Sequence, residues 1–239
     1  MNEKQLKTNV WQRIIIIVVA ILLLGSTVLT YMFIVMSGNN SKQSQEDRIS
    51  ELSNAITAKS NEIEEAAKPL SSKYFKEFEA YKKQIKSYNV ANANNEKLKV
   101  EDLKEGTGKQ LAEDDSDYSA YYIGWCGDGS IFDSSFSYAE DDTDKTTPTG
   151  LQAPLISPSS VIEGWKQGVV GMKLGGVRQI SVPGELAYGD TRSDICGQKN
   201  APLKFIVMAL PTDETLGKLN KEWNELFSEY YALLMGSQQ

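Results

Sequence analysis

Histidine is missing altogether from the 239 residues of the chain. Its absence removes Ser-His and Cys-His catalytic pairs, His-ligated metal sites and any imidazole-based pH switch, so an activity must run on other chemistry. Cysteine is scarce: Cys126 and Cys196 are the only two, too few and too far apart for a four-thiolate zinc site or an iron-sulfur cluster. They make either one disulfide or two spectator thiols. Long Lys/Arg runs are lacking as well, and 25 basic against 32 acidic residues leave a formal net charge of −7. Affinity for nucleic acid depends mainly on neutralised phosphates, so no nucleic-acid partner is expected. What is present, 41% apolar and 24% charged residues, excludes a collagen-like, coiled-coil-only or mostly disordered chain.

One uncharged run stands out. From Ile14 to Met36, 23 residues without a charge reach about 34 Å at about 1.5 Å each, enough to cross a hydrocarbon core of about 30 Å. A buried helix of a soluble protein fits less well, because four consecutive isoleucines point all round the cylinder. A cleaved signal peptide has a shorter apolar stretch and a small-x-small site, and none that convinces precedes Ser37. The run reads as an uncleaved signal anchor. Lys4, Lys7 and Arg13 outweigh Glu3 before it, whereas Ser37 to Gln45 offers only Lys42. The positive-inside rule then leaves the N-terminus in the cytoplasm and everything after residue 37 outside it.

Beyond the anchor, residues 41 to 92 are polar and helix-favouring. Ile49, Leu52, Ile56, Ile63, Ala66 and Leu70 follow the a/d seam of a coiled coil or helical hairpin. Pro69 is expected to interrupt it. Tyr74, Phe78, Tyr81, Ile85 and Tyr88 resume the spacing before NVANANNE dissolves it into a linker. After Pro211, Leu216, Leu219, Trp223, Leu226, Tyr230 and Leu233 make a third stripe. Such stripes need a partner surface: each other, the neighbouring domain, or a second copy of the arm.

Between about Glu96 and Pro211 the texture changes. LKVEDL, SAYYIGWC, VRQISV and LKFIVMAL are rich in β-branched and aromatic residues and bounded by turn formers. SSVIEGWKQGVVGM reads as one short helix, opened by a capping box of Ser160 and Glu163 and closed by Gly171. A few strands and one helix lying across them give an α+β domain.

The order YIGWCGDGSIFDSS, then VIEGWKQGVVGMKLGGVRQISVPGELAYGD, then NAPLKFIVMAL resembles the FKBP-type peptidyl-prolyl cis-trans isomerases. The likeness covers residues 96–211, roughly half of the chain, and rests on the joint occurrence of FDSS, VIEGW and ELAYG. It implies an FKBP-like fold, a strongly bent antiparallel sheet half-wrapped around the VIEGW helix with an apolar pocket between them. The resemblance makes Trp165 the pocket floor, Phe132 and Phe205 its walls, and Val161 and Ile162 its rim, with Ile195 adding an apolar contact from the loop after ELAYG. The Ile162 N–H and the Tyr188 hydroxyl would donate to substrate carbonyls. Asp133 would face the pocket beside Tyr122, which makes Tyr122, Asp133 and Tyr188 the expected catalytic residues. By residue type alone, Trp165, Phe132 and Phe205 are ordinary core aromatics and Asp133 before two serines is a turn cap.

The implied chemistry suits a chain without histidine. An Xaa-Pro bond rotates through a state in which amide resonance is lost, against a barrier of about 18 to 20 kcal/mol, and no bond is made or broken. No nucleophile, cofactor, metal or titrating base is required, only a dry surface that holds the prolyl ring and favours the twisted amide over the planar one.

Departures from the family pattern are equally plain. Residues 136–150, FSYAEDDTDKTTPTG, form a longer and more acidic segment than is usual, and the next residues read LQAPL, with Gln152 and Pro154 where aromatics are expected. Part of the pocket wall should be absent. Loop 190–200 lacks the usual proline-rich turn and carries Cys196; outside the cytoplasm a disulfide to Cys126 is chemically allowed and would pin it. Ten acidic and no basic residues lie from Gln110 to Asp144. They read as a solvated face, with attraction of basic clients or weak Ca²⁺ binding by DDTD as alternatives, although DDTD lacks EF-hand spacing.

The expected organisation is a cytoplasmic head (1–13), a transmembrane anchor (14–36), a helical arm and linker (37–95), the FKBP-like domain (96–211) and a C-terminal amphipathic helix (212–239). The expected function is a membrane-tethered foldase acting on proline-containing exported or cell-surface clients. The alternative is a catalytically weak FKBP-like module that works as a chaperone or scaffold through its helices.

Overall fold

The computed structural model describes residues 40–113, 115–158 and 161–236. In chain order these form α1 (Asn40–Glu79), a 3₁₀ turn (Ala80–Gln84), α2 (Val90–Asn95), β1 (Lys99–Lys104), β2 (Ser119–Trp125) and β3 (Ile131–Ser134). There follow β4 (Phe136–Tyr138), β5 (Pro148–Leu151), β6 (Leu155–Ile156), α3 (Glu163–Val169), β7 (Val177–Val182), β8 (Leu203–Leu210) and α4 (Glu214–Gly236). The expected head and the run Ile14–Met36 lie outside the described residues, as does Ser160. Among the described residues no helix is long and apolar enough to cross a membrane.

The main sheet is antiparallel, in the order β1-β7-β8-β2-β3, with β6 also paired to β2. Its central strands β2 and β8 are in register over their length, Ser119 opposite Leu210 and Trp125 opposite Lys204. Both are buried almost throughout, because both faces of the sheet are covered. Side chains alternate across a strand, so Ala120 and Tyr122 join Phe205, Val207 and Ala209 in one layer with Trp165 and Val169 of α3. Tyr121, Ile123 and Trp125 join Ile206, Met208 and Leu210 in the other.

That second layer is closed by the arm. Phe78, fully buried, packs there with Leu70, Tyr74, Phe75, Tyr81 and Ile85 around it. Beside them lies a small β4–β5 hairpin, whose Phe136 and Leu151 are buried in the same cluster.

Three expectations about the helical parts need correction. Helix α1 runs through Pro69 without interruption. Pro69 is exposed, so the carbonyl of Glu65 that loses its N–H partner faces water, while buried Ile63 and Ala67 anchor the helix on its inner side. The stripe is also not a heptad seam: Ala67, not Ala66, is buried, and Ile56, Ala67 and Phe78 stand eleven residues apart, the repeat of a nearly straight α-helix. Finally, NVANANNE is no linker. The Asn89 side chain accepts from the Asn92 N–H at 2.9 Å and caps α2. Asn94 then ties two distant loops, accepting from Gly184 N and donating to Asn200 O, each at 2.9 Å.

The chain divides into two units, Ala58–Asn224, and Met1–Thr57 with Glu225–Gln239. Within the first, Trp223 Nε1 donates to Ser60 Oγ at 3.0 Å and Lys59 pairs with Glu222 at 2.9 Å; Leu216 is buried in a cluster with Ile63 and Ala67. Within the second, Arg48 pairs with Glu229 at 2.7 Å and Gln45 Nε2 meets the Leu233 carbonyl at 3.5 Å. Helix α4 starts where expected after Pro211, with the Asp213 carboxylate accepting from Leu216 N at 3.1 Å.

Candidate active site

Helix α3 is short, and its C-terminal end is held from outside. Ile162, in extended conformation, is the N-cap, and no side chain caps the helix. Glu163 accepts from Gln167 Nε2 at 2.8 Å; the expected capping box also involves Ser160, which lies outside the described residues. At the other end Gly171 takes φ +78°, a left-handed value that glycine adopts without strain. Arg178 of β7, buried in the sheet, donates to the carbonyls of Gly168 and Val170 at 3.0 and 2.8 Å and forms a forked pair with Asp102 at 2.7 and 3.1 Å. A guanidinium at a helix C-terminus suits both the orphan carbonyls and the dipole.

With the C-terminal end of α3 fastened, Trp165 is buried against the sheet, 3% exposed. Tyr122 and Phe205 meet its ring edge-on, both at 5.5 Å between centroids, and Phe132 meets Phe205 at 5.7 Å. Gly124 makes room for that pair: a Cβ there would stand 2.6 Å from Phe132 Cζ and 2.9 Å from Phe205 Cε1. The Tyr122 hydroxyl donates to Asp133 Oδ2 at 2.7 Å. Val161, Ile162, Tyr188 and Ile195 are half-buried against the same cluster. Eight of the nine site residues expected from the sequence belong to or pack against one hydrophobic cluster, and Asp133 joins it through Tyr122; the half-buried ones outline a candidate recess.

Its electrostatics are those of a dry site with one carboxylate. Burial, and then the Asp133 charge, push the Tyr122 phenol well above its ordinary value. The same two causes, in the same order, raise that of Tyr188. Both hydroxyls stay protonated and able to donate at neutral pH. The Arg192 guanidinium lies 5.6 Å over the Tyr188 ring while paired with Asp194 at 2.9 Å.

Cys126 and Cys196 form a disulfide across 70 residues, with 5.7 Å between Cα atoms. Cys126 follows β2 on the pocket side, two residues beyond Gly124, so the bond fastens loop 190–200 at that end of the recess. Most of this loop is exposed; Ile195 and Cys196 are half-buried.

The acidic segment 136–150 does not line the pocket. It makes the β4–β5 hairpin on the arm face, where Ser71 Oγ accepts from Leu151 N at 2.8 Å. Asp142 closes its turn, accepting from Thr146 N at 3.0 Å and Thr147 N at 2.8 Å; these backbone bonds hold its carboxyl below the usual range. Among the described residues no group of three His, Cys, Asp or Glu could hold a metal ion. Beyond it, Gln152 N donates to Ser135 O at 2.9 Å, and Ala153 and Ile156 turn toward Ile63, Ala67 and Leu216 of the helices. This stretch serves the helices, which accounts for the aromatic wall missing at Gln152 and Pro154.

Sequence reasoning passed over Tyr118, Gly124 as a pocket residue, and Ser135, whose hydroxyl accepts from Tyr122 N at 2.9 Å. The period of two was the available signal for the first two: residues 118, 120, 122, 124 and 126 share the pocket side of β2. A separate groove of about 380 Å³ lies by α2 and β1, lined mainly by polar side chains, with Val100, Val182, Leu203 and one aromatic, Tyr88, among them. It lacks the convergent rings and the buried hydroxyl–carboxylate pair of the recess.

The cluster brings together convergent aromatic rings, the Tyr122 and Tyr188 hydroxyls and the Asp133 carboxylate. A family profile described as FKBP-type peptidyl-prolyl cis-trans isomerase matches residues 108–210. The FK506-binding protein of Neisseria meningitidis serogroup B is 37% identical over 92 residues, 38% of this chain and 74% of that protein. That of Streptomyces anulatus is 37% identical over 111 residues, 46% of this chain and 79% of that protein. A crystal structure of a peptidyl-prolyl cis-trans isomerase from Pseudomonas syringae pv. tomato is 26% identical, covers 47% of this chain and 73% of that one, and has a TM-score of 0.34. The chain belongs to the FKBP-type peptidyl-prolyl cis-trans isomerase family and is an isomerase of that kind.

Proposed function

We propose that this isomerase acts outside the cytoplasm on Xaa-Pro bonds of exported or cell-surface polypeptides, tethered to the membrane through residues 14–36. The prolyl ring lies on Trp165, between Phe132 and Phe205. The Tyr188 hydroxyl and the Ile162 N–H orient the flanking carbonyls, and the Tyr122–Asp133 pair faces the amide as it twists. Rotation out of plane lowers the polarity of the amide, so a water-poor aromatic surface binds the twisted form better than the planar one. The observation that carries this reading is the 2.7 Å hydroxyl–carboxylate bond of half-buried Tyr122 and Asp133, with the Tyr122 ring edge-on to Trp165.

The outside location is supported by two features: the orientation of charges around the apolar run, and a disulfide, which thiol-reducing cytosol would not maintain. Pairing of two arms is not needed to cover the apolar stripe, since Leu52, Ile56, Ile63, Ala67 and Phe78 are all buried within one chain.

Prolyl turnover by the full chain, on peptides varied before proline, tests the site. Trp165→Ala and Asp133→Ala should each lower kcat/KM at least tenfold in protein that remains folded. Unchanged turnover in both would overturn the pocket assignment. Labelling of the catalytic unit by an impermeant amine reagent on intact cells tests the location, and protection until the cells are broken would refute it.

A further inference from the structure

We infer that Tyr118 is a positioning residue for the pocket floor: by accepting the indole N–H of Trp165, its hydroxyl fixes the plane on which the prolyl ring lies. The inference rests on the assignment of Trp165 as that floor. Trp165 Nε1 donates to the Tyr118 hydroxyl at 3.1 Å, and both side chains are removed from solvent, 3% and 1% exposed.

Three contacts grip the indole, and they differ in kind. The edge-on rings of Tyr122 and Phe205, each 5.5 Å away, are apolar neighbours that tolerate tilting at small cost. The hydrogen bond alone is directional. An indole N–H is a donor only, and burying it without an acceptor forfeits its full solvation. Without Tyr118 the ring gains by tilting until the N–H finds an acceptor at the pocket mouth, where water or a substrate carbonyl is available. That tilt would spoil the flat surface and set a stray donor against those that orient the peptide.

Tyr118 is itself well fixed for this task. Its backbone carbonyl accepts from Ser157 N at 3.1 Å, just beyond β6, and it precedes β2 by one residue, so its ring falls on the pocket side with Ala120 and Tyr122. Burial raises its phenol above the ordinary value, so it stays neutral across the range in which the enzyme would work.

Tyr118→Phe in the full chain tests the inference, because it removes the acceptor and keeps the ring. The effect should fall on binding of the prolyl ring, felt alike by planar and twisted amides. We expect kcat/KM about tenfold lower through KM, with kcat within about twofold. The indole ¹⁵N–¹H signals provide a second reading. Trp165, assigned by its loss in Trp165→Phe, should be slow to exchange with solvent in the unmodified protein. In Tyr118→Phe it should move and exchange faster while Trp11, Trp125 and Trp223 stay in place. A Trp165 signal that exchanges freely in the unmodified protein, or a kcat/KM of Tyr118→Phe within twofold of it, overturns the inference and leaves the floor assignment standing. Full turnover in Trp165→Ala overturns the floor assignment, and this inference with it.

Discussion

The two faces of the central sheet are built from the same strands and do opposite things. On the arm face Phe78, Tyr121, Ile123, Phe136 and Ile206 are each 0% exposed, and helix, hairpin and sheet close over one another. On the pocket face Tyr122 of β2, Phe132 and Asp133 of β3 and Tyr188 of the β7–β8 connection are half-buried near Trp165. The arm face is filled for stability. The other face is buried at Ala120, Ile180, Val207 and Ala209 and left partly open only around Trp165. The difference lies in what covers each layer: Leu70, Tyr74, Phe75 and Phe78 of α1, with Tyr81, Ile85 and the β4–β5 hairpin, pack on the arm face, whereas α3 has only seven residues.

That contrast can be broken by mutation. Phe78→Ala should cost about 3 to 5 kcal/mol, as for other buried phenylalanines, read as a lower urea midpoint, with kcat/KM of the folded protein unchanged; a fall in kcat/KM would join the two faces functionally. Reducing Cys126–Cys196, or replacing both by serine, should cost up to about 4 kcal/mol from the entropy of a closed loop near 70 residues. Thermal unfolding with and without a dithiol reductant measures it, and equal midpoints would show that the bond only decorates the loop. Asp133→Asn should lower kcat/KM about 10- to 100-fold with a smaller loss of stability than Phe78→Ala, since it weakens a charge-assisted bond at a half-exposed site.

The smallest effect concerns pH. Turnover should be flat from about pH 6 to 9, because the chain has no histidine and its pocket phenols titrate above that range. Tyr122 and Tyr188 are raised above 10.0 by burial first and by Asp133 next. A group raised on folding contributes stability that is fully present below its unfolded value and is lost as pH climbs through the folded one. Unfolding followed against pH should therefore show stability held to about 10 and declining beyond it, less steeply in Tyr122→Phe. A bell-shaped rate profile centred near neutrality would point to a titrating group that the recess does not contain.

Legibility from sequence followed the range of the forces involved. Strands β1, β2, β7 and β8 and helix α3 could be read from local composition together with the motif order, and the residues named for the pocket come together in one neighbourhood. The arm was misread in three places, each where a tertiary contact overrode a local rule. Pro69 is carried through a helix anchored on its inner side by Ile63 and Ala67. The seam shifts to Ala67 because the helix packs along an eleven-residue repeat. The Asn-rich stretch becomes α2 because Asn89 caps it and Asn94 has partners on Gly184 and Asn200. Residues 136–150 read as acidic surface, yet Phe136 and Leu151 beside their charges pin them to the arm as a hairpin.

By itself the sequence determined the kind of chemistry. FDSS, VIEGW and ELAYG in order mark an FKBP-type isomerase, and the lack of histidine removes imidazole chemistry. Only the tertiary structure decided that Cys126 and Cys196 meet, that Tyr118 holds the indole of Trp165, and that the arm seals the back of the sheet. Each of these joins residues far apart in the chain, and proximity of that kind is settled by packing rather than by local preference.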